Sequence, residues 1–283
     1  MKQVMTWLVT IIYLLKNGCD EMLEPYNSVD WLAPRFCLGY INYNTWKGAL
    51  MATIDQRLLA ASRMIIPGGA VADIGTDHGQ LPCFLLEKGL APQVVATEWG
   101  DGPYQRAREH IETSPWSDRI AVRQGNGLEA LAWGEVHTVV IMGMGGDLMA
   151  EILRRDWHLT SSFARLVLQP MTRPAVPRLL LAEKGWPLID ERVVRSRGRF
   201  FVLFSYQPGD RPYRLSALEL EVGPQLLQAR DSIELEYLTY CRRRLKARCQ
   251  NLSLSKQPQN QSKRLKYELM GRELEEIIDG KSG

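Results

Sequence analysis

The chain has 283 residues, enough to bury a proper core in one sizeable domain and to carry an appendage. Apolar residues make up 45% and charged residues 24%, as in an ordinary soluble protein, and a net charge of +3 is too small to establish a nucleic-acid partner by itself. The five cysteines, Cys19, Cys37, Cys83, Cys241 and Cys249, are odd in number and scattered without paired ligand spacing, which argues against a disulfide framework and against a zinc site.

In chain order, residues 1–50 differ from the rest. Met5 to Leu15 is apolar and follows Lys2, which resembles the hydrophobic region of a signal peptide more than a membrane span of about twenty residues, yet no small-residue cleavage site follows. Residues 17–50 show no sustained period. From Met51 an amphipathic pattern (Ile54, Leu58, Leu59, Met64 to Ile66) predicts a helix ended by Pro67 and two glycines. A translation start at Met51 is expected, with residues 1–50 an extension that is disordered or not made. An export signal is the alternative.

From Ala70 strand and helix alternate, the pattern of a doubly wound parallel sheet. Val71 to Ile74 predicts the first strand, followed by a turn through Gly75, Thr76, Asp77, His78 and Gly79 and a helix over Gln80 to Lys88. A second strand, Val94 to Thr97, ends at Glu98, and the loop after it launches a helix through Arg106 and His110. Ile120 to Gln124 predicts a third strand that ends in Gly125-Asn126-Gly127, with a short helix over Leu128 to Trp133. Val136 to Met142 reads as a buried fourth strand, after which Gly143-Met144-Gly145-Gly146 opens a helix over Asp147 to Arg155. The fifth, Ala164 to Leu168, ends at Gln169-Pro170. A helix near Arg178 to Lys184 and two strands, Pro187 to Val194 and Arg199 to Tyr206, joined at Arg197-Gly198, complete the sheet.

Each of the first five strands therefore ends in a polar or glycine-containing turn on one edge, where open α/β sheets bind their ligands. Glu98 follows Asp73 at close to the spacing at which a second strand offers an acid to ribose hydroxyls, and two carboxylates disfavour a 2′-phosphate. Hydride transfer on a nicotinamide would require G-x-G-x-x-G, and Asp77 stands where the second glycine would be. The order Asp73, Gly75, Asp77, Gly79, then Glu98 and Asn126, looks more like the S-adenosylmethionine pocket of a class I methyltransferase.

The runs VADIGTDHGQLP, GDGP, VRQGNGLEAL, VIMGMGGDLM, RLVLQP and GWPLIDERVV together resemble the bacterial tRNA adenine-22 N1-methyltransferase family over residues 52–207. The resemblance implies a Rossmann-like methyltransferase domain over 51–209 and a helical, coiled-coil-like RNA-binding domain over 210–283. It further implies S-adenosylmethionine as donor and tRNA as substrate. Asp73, Gly75, Asp77, His78 and Gly79 would line the methionine and sulfonium end, Glu98 the ribose, and Asn126 with Gly127 the adenine ring. Gly143, Met144, Gly145 and Gly146 would wall the reaction centre opposite Gln169 and Pro170, with Asp77 accepting an amino proton or balancing a cationic product. Asn126 replaces the family's usual Asp, and its amide oxygen can still accept from the adenine amino group. Met171 replaces the Asn of the family's QPN pattern, and a thioether cannot anchor a base edge as an amide does.

Beyond Gln207-Pro208-Gly209, helical spacing over Leu215 to Leu227, Ser232 to Cys249 and Lys263 to Ile278 predicts a tail whose last two helices form an antiparallel hairpin around the loop 253–262. Arg242, Arg243, Arg244, Lys246, Arg248, Lys263 and Arg264 form its basic face, a candidate hold on RNA phosphates that Arg192 to Arg199 could extend. The expected enzyme is a cytoplasmic monomer with no metal and no membrane contact. A small-molecule or protein methyltransferase, and an RNA-binding module weakened in catalysis by Met171, are the alternatives.

Overall fold

Short Val-, Ala- and Ile-rich runs that are buried on both faces make the centre of a parallel sheet in the computed structural model, which describes residues 54–253 and 257–280. The expectations for residues 1–50, for a start at Met51, and for Cys19 and Cys37 lie outside the described residues. In chain order the elements are α1 (Gln56–Ser62), β1 (Val71–Ile74), α2 (Gln80–Glu87), β2 (Val94–Glu98), α3 (Asp101–Glu112), β3 (Ile120–Gln124), β4 (Thr138–Gly145) and α4 (Gly146–Arg155). They continue with α5 (Trp157–Thr160), β5 (Arg165–Thr172), α6 (Ala175–Glu183), β6 (Leu188–Ser196), β7 (Arg199–Tyr206), α7 (Ala217–Val222), α8 (Ser232–Ser253) and α9 (Pro258–Asp279).

The seven strands lie in the order β3-β2-β1-β4-β5-β7-β6. β1 to β5 are mutually parallel, and β7 joins β5 antiparallel, with Leu168 opposite Phe204. This is a Rossmann-like sheet with a C-terminal helical pair. The chain order reverses beside β1, which places the switch point, and hence the ligand crevice, at the carboxyl ends of β1, β2 and β4.

Alternate strand residues feed two cores. Val71, Val140 and Val167 pack with Leu81, Leu85 and Ile111 of α2 and α3 on one face. Ala72, Ile74, Val139 and Ile141 face Met149 and Leu153 of α4 on the other. That second core continues without a break into the tail, through Leu218, Val222 and Leu226 to Tyr237, Leu238 and Leu245 of α8 and Leu274 and Ile278 of α9.

Local departures from the sequence reading have physical causes. Leu128 to Trp133 is only a 3-10 turn over Gly127–Ala130, too short to bury a helical face. The segment 215–227 is broken at Gly223, where the backbone presses on the Glu191 carboxylate and leaves no room for a Cβ. α9 begins at Pro258, five residues earlier than the periodicity suggests, because proline fits the first helical turn where no N–H is needed. Arg242 lies against Glu275 and Cys249 against Arg264, so α8 and α9 run antiparallel as expected. Among the described residues no helix is long and apolar enough to cross a membrane, and no cluster of three potential metal ligands occurs.

Candidate active site

The β1 end is built for close approach. Gly75 takes φ +75°, and a Cβ there would collide with the terminal methyl of Met144, which packs across the turn from β4. Asp77 also adopts a left-handed conformation, at φ +52°. Its N–H donates to Glu98 Oε1 at 2.6 Å, so the acid at the end of β2 fastens the β1 turn across the sheet. The Asp77 carboxylate is exposed and lies 3.4 Å from Arg106 Nη2 and 3.5 Å from His78 Nε2.

Asp73 sits one residue below this turn and is 5% exposed. Burial, with the Glu98 charge adding to it, pushes its carboxyl up to about 7. On β2 the Thr97 hydroxyl is buried without a hydrogen-bond partner among the described residues. At the β3 end, Gln124 Nε2 donates to Asp101 Oδ1 at 2.6 Å and to the Trp99 carbonyl at 3.3 Å, fixing the loop after Glu98.

These ends enclose a groove of about 370 Å³. Of the residues expected from sequence, Gly75, Glu98, Asn126, Gly127 and Met144 wall it. Asp77, His78 and Gly79 lie on the far side of the β1 turn, toward α2 and α3, where a Cβ on Gly79 would meet Ile111. The sequence reading missed Trp99, Leu148, Ile152 and Arg155, which also line the groove. Leu148, Ile152 and Arg155 recur at helical spacing directly after the glycine turn, a signal that one face of α4 looks into the ligand edge. Trp99 follows Glu98 and is 72% exposed.

Around Met144, which walls the groove, β4 and β5 run on past their regular pairing, with register shifts at Met142/Met144 and Met144/Gly145. Gly143 is exposed at φ +75° with open space around it. Gln169 and Pro170 are buried, so neither presents a surface to a base. Gln169 Oε1 accepts the Gly143 N–H at 3.3 Å and its Nε2 lies 3.6 Å from Met171 Sδ, which makes it a brace between the two strand ends. Met171, 36% exposed, is the side chain that reaches the surface.

Gly146 closes this seam. A Cβ there would run into the carbonyl oxygens of Arg173 and Thr172, main-chain atoms that cannot yield as a side chain can. Gly146→Ala is therefore expected to destabilise by about 1–3 kcal/mol and to weaken cofactor binding, by prising β4 from β5. Urea midpoints and calorimetric binding measured on the same preparation check both effects.

The basic residues of the tail fall into two groups. Arg242 pairs with Glu275 at 3.2 Å, Arg264 with Glu268 at 3.1 Å, and Arg248 with Glu221. Arg243, Arg244, Lys246 and Lys263 are exposed and make no ion pair with any described residue, Arg244 lying over the Tyr240 ring.

Residues 54–204 match the family model described as a methyltransferase domain. The chain is 32% identical over 232 residues to the tRNA (adenine(22)-N(1))-methyltransferase of Bacillus subtilis, covering 80% of this chain and 97% of that protein. The chain belongs to this family. The crystal structure of the B. subtilis M1A22 tRNA methyltransferase superposes with a TM-score of 0.71 at 30% identity, covering 80% of this chain and 99% of the other. A Streptococcus pneumoniae putative tRNA (m1A22) methyltransferase, solved in complex with S-adenosyl-L-methionine, superposes at 0.70 with 27% identity, over 80% of this chain and all of the other. The matched methyltransferase-domain model spans α1 to β7, the part of the chain that carries the groove.

Proposed function

We propose that this protein transfers a methyl group from S-adenosylmethionine to N1 of an adenine in tRNA, at position 22 as in its B. subtilis relative. The observation that carries the reading is the convergence of Gly75, Glu98, Asn126 and Met144 on one groove, in a chain that spans nearly all of that relative's length.

The groove fits the cofactor. Its volume lies within the usual range of small-molecule sites, and its buried, unpartnered Thr97 hydroxyl is a polar group that a ligand could satisfy. Glu98 keeps one carboxylate oxygen free of the Asp77 amide for a ribose hydroxyl, and Asn126 can accept from an adenine amino group. Asp73 supplies a negative charge at the end where the ligand is cationic. When bound, S-adenosylmethionine supplies a methyl group activated on a sulfonium.

N1 of neutral adenine carries an available lone pair, so the chain's residues need only align the base and exclude water. Because N1 lies on the Watson–Crick edge, the nucleotide has to leave its stack, at a cost of a few kcal/mol. Gln169 acts here as a positioning residue that sets the height of Gly143, while Gly143 and Met171 face the incoming ring. Arg243, Arg244, Lys246 and Lys263 hold phosphates. The enzyme works as a cytoplasmic monomer.

The test is methyl transfer to an unmodified tRNA transcript, with mass mapping of the product nucleoside. A methyl group on N1 of adenine 22, lost when that base is changed to guanine, is expected. Transfer to other positions only, or none, overturns the reading. Met171→Asn is expected to raise single-turnover efficiency about threefold to tenfold, the worth of one added hydrogen bond to the base edge. An unchanged rate would remove Met171 from the base-binding surface.

A further inference from the structure

Register puts the β6–β7 hairpin on the catalytic edge. Leu168 of β5 lies opposite Phe204 of antiparallel β7, so β7 from Phe204 back to Arg199 points the same way as the continuation of β5 to Thr172. The hairpin turn at Arg197 and Gly198 thus lies on the same edge of the sheet as the turns that wall the groove. On one face of this hairpin, Phe200 packs against Tyr237 and Tyr240 of α8, with ring centroids 5.9 and 5.3 Å away.

Beside Phe200 opens a second cavity, of about 160 Å³, lined by Arg195, Phe200, Glu236, Thr239 and Arg243. Glu236, Thr239 and Arg243 share one face of α8 by their spacing. Arg195 lies over the Phe200 ring at 5.4 Å, and its Nη1 is 3.2 Å from Glu236 Oε2. The Thr239 hydroxyl donates to the Leu235 carbonyl, which leaves two guanidinium groups as the polar donors of the cavity. The cavity's one carboxylate, Glu236, pairs with Arg195, and Arg243 makes no ion pair with any described residue. Both members of the Arg195–Glu236 pair are more than half exposed, so their bond is weak and readily exchanged.

We infer that this cavity is a phosphate subsite for the RNA substrate. Arg195, kept flat by the Phe200 ring, exchanges Glu236 for a backbone phosphodiester, and Arg243 supplies the second contact. The inference rests on the tRNA reading above and deepens it. It places the RNA backbone beside the β6–β7 hairpin, on the edge of the sheet that also carries the groove.

The experiment uses the full chain and an unmodified tRNA transcript, with affinity read by fluorescence anisotropy over a KCl series and S-adenosylmethionine binding read by calorimetry. The double variant Arg195→Ala/Arg243→Ala is expected to bind tRNA about tenfold more weakly, with the log–log salt slope shallower by about 1–2 and cofactor affinity unchanged. Glu236→Gln, which frees Arg195, is expected to tighten tRNA about twofold to fivefold. A cavity that only supports the fold would weaken binding in both variants, so the opposite signs are diagnostic. Unchanged affinity and slope in the double variant, or weakening by Glu236→Gln, overturns the subsite. If the wild-type chain methylates tRNA and the double variant binds it normally, the subsite fails and the methyltransferase reading stands. If the wild-type chain binds tRNA through this cavity without methylating it, the subsite stands and that reading fails.

Discussion

Asp73→Asn is expected to weaken S-adenosylmethionine binding by about 30-fold to 1,000-fold while making the ligand-free protein more stable above pH 7. The two effects share one cause. Asp73 is buried, and its carboxyl is held up at about 7 by that burial and by the Glu98 charge. Between about pH 4 and 7 the unfolded chain carries Asp73 ionised while the folded chain keeps it protonated, so the folded state binds more protons and stability falls as pH rises through this window. Below pH 4 the favourable contribution is fully present. Above pH 7 it has been lost, and the fold holds a desolvated charge that asparagine does not have.

The ligand-free variant should therefore gain on the order of 2–4 kcal/mol over the wild type at pH 8 and little at pH 4, as read by urea unfolding at each pH. A cationic ligand reverses the balance, since it favours the ionised carboxyl. Wild-type affinity should rise from pH 5.5 to 7 with release of a proton, measurable by calorimetry in buffers of different ionisation heat. Above roughly pH 8 the ligand's own α-amino group loses its charge and the gain ends. Loss of the pH dependence in Asp73→Asn is the expected signature. A variant that binds as tightly as the wild type would remove Asp73 from the cofactor site.

Much of this site was legible because its information is local. Strand-turn-helix punctuation locates Gly75, Glu98 and Asn126, and parallel pairing of β1, β2 and β3 brings their ends together whatever the details of packing. Side-chain direction is less local. Gln169 and Pro170 follow β5 just as a base-facing pair would, but β5 continues to Thr172, so the surface begins two residues later, at Met171. Asp77 and His78 belong to the same turn as Gly75, yet the left-handed backbone at Asp77 sends them toward Arg106. The basic tail was legible as charge but only partly as pairing: Arg264 and Glu268 are an i,i+4 pair within α9, but Glu275 and Glu221 reach Arg242 and Arg248 only through the hairpin and its docking on α7.

The same non-local packing makes one discriminating experiment uninformative. A chain ending near Gly209 would separate an RNA clamp from a self-sufficient catalytic domain only if the remainder folded unchanged. Its loss would expose the core shared with Leu218, Val222, Leu238 and Leu274. Surface substitutions at Arg243 and Arg244, rather than truncation, can ask what the tail does for RNA.

Glu191→Ala is expected to destabilise the protein by about 3–5 kcal/mol, a large part of the 5–15 kcal/mol typical of a folded domain. Glu191 on β6 and Arg178 on α6 are both fully buried, with Arg178 Nε and Nη2 at 3.0 and 2.8 Å from Glu191 Oε1. Arg178 also donates to the Leu220 and Val222 carbonyls at 2.7 and 3.3 Å, while Glu191 Oε2 accepts the Gln225 and Leu226 amides at 3.1 and 3.4 Å. The pair therefore satisfies the C-terminal carbonyls of α7 and the turn after Gly223, and fastens the tail to the sheet. Removing the carboxylate strands a buried cation and two buried amides at once.

Arg178→Met strands the carboxylate and the two carbonyls instead, and should cost a similar amount. The double variant Arg178→Met/Glu191→Leu removes both charges but not the four main-chain groups, so its loss should be smaller than the sum of the single losses and still larger than zero. Urea unfolding of the four proteins gives the coupling directly. Single losses below about 1 kcal/mol would mean that the tail is held by its apolar contacts alone. Limited proteolysis adds the location: cleavage around Arg211 and Arg214 should accelerate in Glu191→Ala before the sheet itself opens, because the segment they occupy leads directly into α7.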